Sequence, residues 1–198
     1  MENPAKKLWN KIICVFGRRG SGKSFLVRNV VLERLHGRRI VYDPMKEYSG
    51  KGAIATSLPD FFDLLEAQEW RIVFQSDKDV NFDEVCRVIY ESQSNIWLVC
   101  DEIDMFCKAT ETPEWLLKIT RYGRHKGIGL VVIARRPAAI PREITSQATY
   151  IVSFRQHEPR DIKYLSEFMP AEKLPEIGQY QYLMYCSDTG EITNKINF

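Results

Sequence analysis

Short apolar runs alternate with helix-periodic segments along the chain. Positions 11–16, 39–42, 71–75, 96–100, 127–134 and 149–154 read as strands, most of them apolar at successive positions, as strands buried on both faces are. After the first run and a glycine-rich turn at 17–22, Phe25, Leu26, Val30 and Val31 recur at helical spacing in a segment ending near Leu35. Gly37 is placed to cap that helix. Further helices are expected from Leu58 with Pro59 in the first turn, from a cap at Asn81 or Asp83 to Gln93, and from Pro113 to about Arg124. Two more are expected over 141–146 and 158–168, the second with Pro159 in its first turn. Positions 43–56 read as a loop. The tail, 181–186 and 191–196, reads as a β-hairpin around Ser187-Asp188-Thr189-Gly190. This alternation predicts an α/β fold with a mainly parallel central sheet, flanking helices and a C-terminal hairpin. No linker, repeat or low-complexity stretch interrupts it. A single domain over 1–198 is therefore expected, its core at about 11–168 and its tail strands at about 180–197.

Composition changes little. The chain has 198 residues, 44% hydrophobic and 27% charged, with a net charge of +2. That charge is too small for a whole-molecule field to attract nucleic acid, so any DNA contact must come from local patches. The longest apolar run, 128–134, is too short to span a bilayer. The N-terminal 1–17 carries lysines and only a brief apolar run that passes into the glycine turn, unlike a signal peptide. Cys14, Cys86, Cys100, Cys107 and Cys186 are scattered, odd in number and mostly set among apolar residues. They are expected to be reduced core thiols of a cytosolic protein. His36, His125 and His157 stand apart, so no transition-metal site is expected.

Chemistry enters at the first turn. Gly17-Arg18-Arg19-Gly20-Ser21-Gly22-Lys23-Ser24 fits GxxxxGK[ST] between a strand and a helix. Glycines let the backbone curl so that successive N–H groups face phosphate oxygens, and the helix N-terminus adds its positive end. Lys23 is expected to reach the β- and γ-phosphates of ATP, and the Ser24 hydroxyl to bind Mg2+. Arg18, Arg19 and Phe25 complete the candidate nucleotide-binding set. The second site is the strand 96–100, which ends in Asp101-Glu102. Ligands of parallel sheets sit at that end. Asp101 suits Mg2+, and Glu102 suits orienting and polarising the attacking water, which favours hydrolysis over phosphate transfer to a small molecule. The guanine-reading NKxD motif is missing, since Asn194-Lys195-Ile196-Asn197 ends wrongly, and so is the LSGGQ motif.

Other segments carry a resemblance. Asp43-Pro44-Met45-Lys46-Glu47-Tyr48 resembles the Asp-Pro-x-Gly-Glu-Tyr element of HerA-like proteins, with Lys46 where glycine is usual. Arg121-Tyr122-Gly123-Arg124-His125-Lys126-Gly127-Ile128-Gly129-Leu130 is similar to their arginine-rich helix end, Gly-x-Gly and apolar strand. Ala134-Arg135-Arg136-Pro137 stands where the family reads Thr-Gln-Arg-Pro. The chain thus resembles the FtsK/HerA superfamily of DNA-pumping ATPases from about Lys11 to Phe168. The resemblance implies an ASCE/RecA-like P-loop NTPase fold and a ring of identical subunits. It offers Arg124, or else Arg121, as a finger completing the neighbour's site, and Arg136 as a reporter of nucleotide state. Ala134 and Arg135 depart from the polar pair that senses the γ-phosphate, so Arg135 has taken over sensing or sensing lies elsewhere.

A bare motor of this length is similar to the genome-packaging ATPases of internal-membrane icosahedral viruses. The implied partners are double-stranded DNA, further copies of the chain and a capsid vertex, in the host cytoplasm or the virion. Alternatives are a Zot-like filamentous-phage assembly or secretion ATPase, another DNA-handling FtsK/HerA-like ATPase, a phosphotransferase and a nucleotide-dependent switch. Lys78, Lys108, Arg38, Arg39, Arg155, Arg160 and Lys163 are candidate DNA contacts.

Overall fold

In the computed structural model, residues 10–196 are described. Positions 1–9 of the leading segment and Asn197 of the expected tail lie outside the described residues. Among the described residues, nine strands, numbered in chain order, form one sheet in the order β3-β4-β2-β5-β6-β1-β7-β8-β9. β1 (Ile12–Phe16), β5 (Ile96–Cys100) and β6 (Ile128–Ala134) are buried at every position, because helices or loops cover both faces. β2 (Arg38–Tyr42), β4 (Arg71–Phe74) and β7 (Tyr150–Phe154) continue the parallel part. β8 (Tyr182–Cys186) adds antiparallel to β7.

The period-two alternation of strand side chains divides the core. Cys14, Phe16, Tyr42, Phe74 and Leu98 face one way and pack under α3 (Leu58–Glu66), α4 (Asp79–Ser92), α5 (Glu114–Tyr122), α6 (Arg142–Ser146) and α7 (Pro159–Leu165). Ile13, Val15, Val41, Trp97 and Val99 face the other way. They meet the helix that follows the glycine turn. That helix starts as α1 (Lys23–Leu26), passes through a π turn at Val27–Val31, and ends as α2 (Leu32–Arg34). Gly129 is required on this face: a Cβ there would lie 2.5 Å from the buried Trp97 ring.

β6 sits between β1 and β5, pairing Phe16 with Ala134 and Cys100 with Val132. The sequence segments after these three strands therefore leave the same edge of the sheet side by side. The α/β class, the parallel sheet and the C-terminal hairpin are as expected.

Details differ. β3 (Ala53–Ala55) lies in the expected loop, a short edge strand hidden by its glycine- and serine-rich flanks. α4 starts at Asp79 because Asn81 donates to Ser76 Oγ and Asp83 accepts from the Trp115 N–H, so neither caps it. Leu35, not Gly37, closes the first helix; Gly37, at φ 88°, turns the chain into β2. α7 stops at Leu165. β9 is only Ile192–Thr193, paired with Tyr185 and Met184. All five cysteines are free and buried, and burial pushes the thiols of Cys14, Cys86, Cys100 and Cys107 up.

Candidate active site

The turn after β1 is shaped by Gly22, whose φ of 102° is left-handed backbone that a side chain strains. It caps α1, and the Leu26 N–H donates to its carbonyl at 2.8 Å. Ser21 N–H donates to the Arg18 carbonyl at 3.1 Å, closing the loop. Lys23 is buried and its Nζ donates to the same carbonyl at 3.3 Å. Burial pulls the Lys23 ammonium down, and the carboxylates of Glu102, Asp101 and Asp104 oppose that. The Ser21 hydroxyl oxygen is buried with no hydrogen-bond partner among the described residues. Arg18, Arg19 and Gly20 are exposed at the rim.

Asp101 extends β5, its N–H donating to the Tyr42 carbonyl at 3.0 Å. Ser24 Oγ donates to Asp101 Oδ2 at 3.4 Å, and the Glu102 N–H to Oδ1 at 3.0 Å. Burial first, then the Glu102 charge, pushes the Asp101 carboxyl up to about 7. This pair of hard oxygen donors, short of positive charge, fits a divalent cation. Mg2+ held there would neutralise charge on the β- and γ-phosphates.

Glu102 leaves the strand in a left-handed conformation, φ 45°. Its Oε2 is 3.1 Å from Arg135 Nε but is not aligned for a hydrogen bond, so among the described residues it is buried without a hydrogen-bond partner. Such an oxygen is able to accept from a water molecule. Burial pushes the Glu102 carboxyl up, while Lys23 and Arg135 pull it down and Asp104 raises it. Arg135 Nε donates instead to Asp104 Oδ2 at 3.0 Å.

The loop after β2 supports this cluster. Asp43 is fully buried, and its carboxylate accepts from the N–H groups of Glu47 and Tyr48, each at 2.9 Å, and from Gln75 Nε2 at 3.2 Å. The knot buries Tyr48, whose phenol is pushed up by burial and by the neighbouring Asp101 charge. Lys46 has φ 58°, which accounts for glycine being usual there.

The arginines divide. Arg136 is tied to Asp161, Nε to Oδ2 at 2.9 Å, and lies 3.8 Å from Glu158. Arg18, Arg19, Arg135 and Arg136 gather around a cleft of about 410 Å³ beside the turn. Arg121 is paired with Glu143, whereas Arg124 is exposed with no side-chain partner among the described residues. Arg124 precedes β6, at the far end of the sheet from Arg135; seven strand residues put them roughly 20 Å apart. It cannot reach the turn of its own chain. Arg39 is corrected: it is 3% exposed and donates to the carbonyls of Leu32 and Lys51, so it is no surface DNA contact. Lys78, Lys108, Arg155, Arg160 and Lys163 are exposed. Sequence reasoning did not single out Asp104 or Asp161. Asp104 was findable as a third carboxylate at Asp101-Glu102-Ile103-Asp104, whereas nothing local marks Asp161, which pairs across 25 residues.

Known proteins are similar to this chain in sequence and fold. The family model described as AAA domain matches residues 9–139. The DNA double-strand break repair helicase HerA of Sulfurisphaera tokodaii is 40% identical over 58 residues, which is 29% of this chain and 12% of HerA. The matched stretch is thus a small part of the curated relatives. The genome packaging NTPase B204 of Sulfolobus turreted icosahedral virus 2, in complex with ATP-gammaS, superposes with a TM-score of 0.80 and 25% identity. That match covers 93% of this chain and 95% of B204. The N-terminal domain of zonular occludens toxin from Neisseria meningitidis shares the fold at a TM-score of 0.52 and 13% identity, over 92% of this chain and 87% of that one. With its glycine-rich turn after β1 and paired carboxylates after β5, the chain belongs to the AAA domain family and is an FtsK/HerA-like P-loop ATPase.

Proposed function

We propose that this ATPase moves double-stranded DNA, packaging a viral genome into a preformed capsid as a homo-oligomeric ring. The observation that carries the reading is the match to a packaging NTPase over 93% of this chain and 95% of that one, at a TM-score of 0.80. Gly17–Phe25 bind the nucleotide, with Lys23 on the β- and γ-phosphates. Ser24 and Asp101 hold Mg2+. Glu102 orients the water through Oε2, which takes no hydrogen bond among the described residues, and accepts the water's proton. Arg124, without a side-chain partner among the described residues and remote from its own turn, stabilises charge at the neighbour's γ-phosphate. Arg136 acts by position, fastening the end of β6 to α7. Arg135 keeps Glu102 oriented in the resting chain. The ring works at a capsid vertex, contacting vertex proteins, in the infected cell or the virion. No helix among the described residues is long and apolar enough to cross a membrane.

The test is steady-state ATP hydrolysis with and without duplex DNA, for wild type, Glu102→Gln, Arg124→Ala and mixtures of the two variants. DNA-stimulated turnover is expected, lost in both variants. The mixture should partly recover it, because an Arg124-bearing Glu102→Gln subunit completes its neighbour's site. Turnover indifferent to DNA and to Arg124→Ala would overturn the motor and point to an assembly ATPase.

A further inference from the structure

The candidate DNA cations are not equivalent. Arg39 is buried, Arg155 Nε donates to the Pro175 carbonyl at 2.9 Å, and Lys108 Nζ lies 3.7 Å from Glu111. Lys78 stands between Asp77 and Asp79 in the sequence. Arg160 and Lys163 differ: both are exposed, and neither side chain has an ion pair or hydrogen bond among the described residues. Both line a cleft of about 390 Å³ bounded by α6 and α7, together with Arg142, Tyr164 and Glu167. Three cations thus meet one carboxylate, and Glu167 is already paired with Arg142. In a chain whose net charge is +2, two uncompensated cations are gathered at one place.

The fold sets the walls of this cleft. Arg160 and Lys163 are three residues apart on α7, hence neighbours on one face with Cβ atoms about 5–6 Å apart. The Arg142 guanidinium lies 5.4 Å from the Tyr164 ring and 5.7 Å from the Phe168 ring, which holds it in place. The hydroxyls of Thr145 and Tyr164 are hydrogen-bonded, tying α6 to α7. Ala138 also lines the cleft, and its N–H donates to Asp161 Oδ1 at 3.2 Å, joining the loop after β6 to α7.

We propose that this cleft grips the sugar-phosphate backbone of duplex DNA, with Arg160 and Lys163 as its phosphate contacts. The proposal rests on the reading of the chain as a DNA motor. Duplex DNA carries about one negative charge per 1.7 Å of its axis, so two cations on one helix face meet phosphates in any register. Their binding releases condensed counterions, which supplies affinity without reading sequence. The lining has no Asn or Gln to read adenine edges, and Ala109, Ala138 and Ile140 offer the sugars a small, apolar surface.

Fluorescence anisotropy of a labelled duplex over a series of NaCl concentrations tests this. The proteins are wild type, Arg160→Gln/Lys163→Gln, Arg160→Lys/Lys163→Arg and, as a control, Arg71→Gln. Arg71 is an exposed cation at the start of β4, on the opposite edge of the sheet. The double Gln variant should bind about tenfold or more weakly at 0.1 M salt, with the slope of log K against log salt smaller by about 2. The charge-keeping variant and Arg71→Gln should match wild type. Hydrolysis without DNA should be unchanged in every variant, and stimulation by duplex should fall in the double Gln variant alone. An unchanged slope in the double Gln variant, or an equal fall in Arg71→Gln, would overturn this site and leave the motor reading standing. Failure of wild type to bind the duplex would remove the motor reading and this site with it.

Discussion

Replacing Arg136 by alanine separates a structural arginine from a catalytic one. Asp161 is 1% exposed and lies in the first turn of α7. Its carboxylate accepts from Arg136 Nε at 2.9 Å and from the Ala138 N–H at 3.2 Å. Removing one partner of a buried ion pair costs about 3–5 kcal/mol, because the other charge stays desolvated. Two features lower that here. The Ala138 N–H and the α7 N-terminus still face the carboxylate, the latter contributing about 0.3–1 kcal/mol. The Arg136 side chain is itself 49% exposed, so water already shares the pair. We expect Arg136→Ala to lose about 2–3 kcal/mol, lowering Tm by roughly 5–10 °C in a chain of this size. Urea unfolding of wild type, Arg136→Ala, Asp161→Asn and the double variant gives the coupling. The double variant should recover part of the loss, since no unpaired charge is left buried. Well below its melting point, Arg136→Ala should keep turnover within severalfold of wild type. Unchanged stability with abolished turnover would refute the assignment and return Arg136 to the chemistry.

Three further outcomes follow from the geometry. In metal-free buffer, Asp101→Asn should raise Tm at about pH 8. The native carboxyl, at about 7, is above its ordinary 3.8, so the native state loses stability as pH rises from the lower value through the higher, by at most about 4 kcal/mol. The gain should vanish near pH 4, and a lower Tm at pH 8 would contradict the desolvation argument. Arg135→Gln should move the acid limb of the kcat–pH profile upward, because the guanidinium holds the Glu102 carboxyl down; an unmoved limb would show that Glu102 is tuned elsewhere. Gly129→Ala should destabilise by about 1–3 kcal/mol, since its Cβ would enter the Trp97 ring; an unchanged urea midpoint would show that the ring gives way freely.

The parallel strands were legible because both faces are buried and the apolar runs are unbroken, as in 96–100 and 128–134. The turn after β1 was legible because its left-handed backbone needs glycine at Gly22. β3 was not, because three residues between Gly52 and Thr56 carry no period. The position of β6 between β1 and β5 is a long-range fact, and it is what brings Arg135 to Glu102. The fastening of Arg136 to Asp161 is equally non-local.

The central claim is movement along duplex DNA, and displacement of a third strand tests it most directly. A triplex-forming oligonucleotide annealed to a linear duplex should be released by wild type with ATP and Mg2+. Release should fail with ATP-gammaS and with Glu102→Gln. Hydrolysis that proceeds on the same duplex while the third strand stays bound would contradict the account.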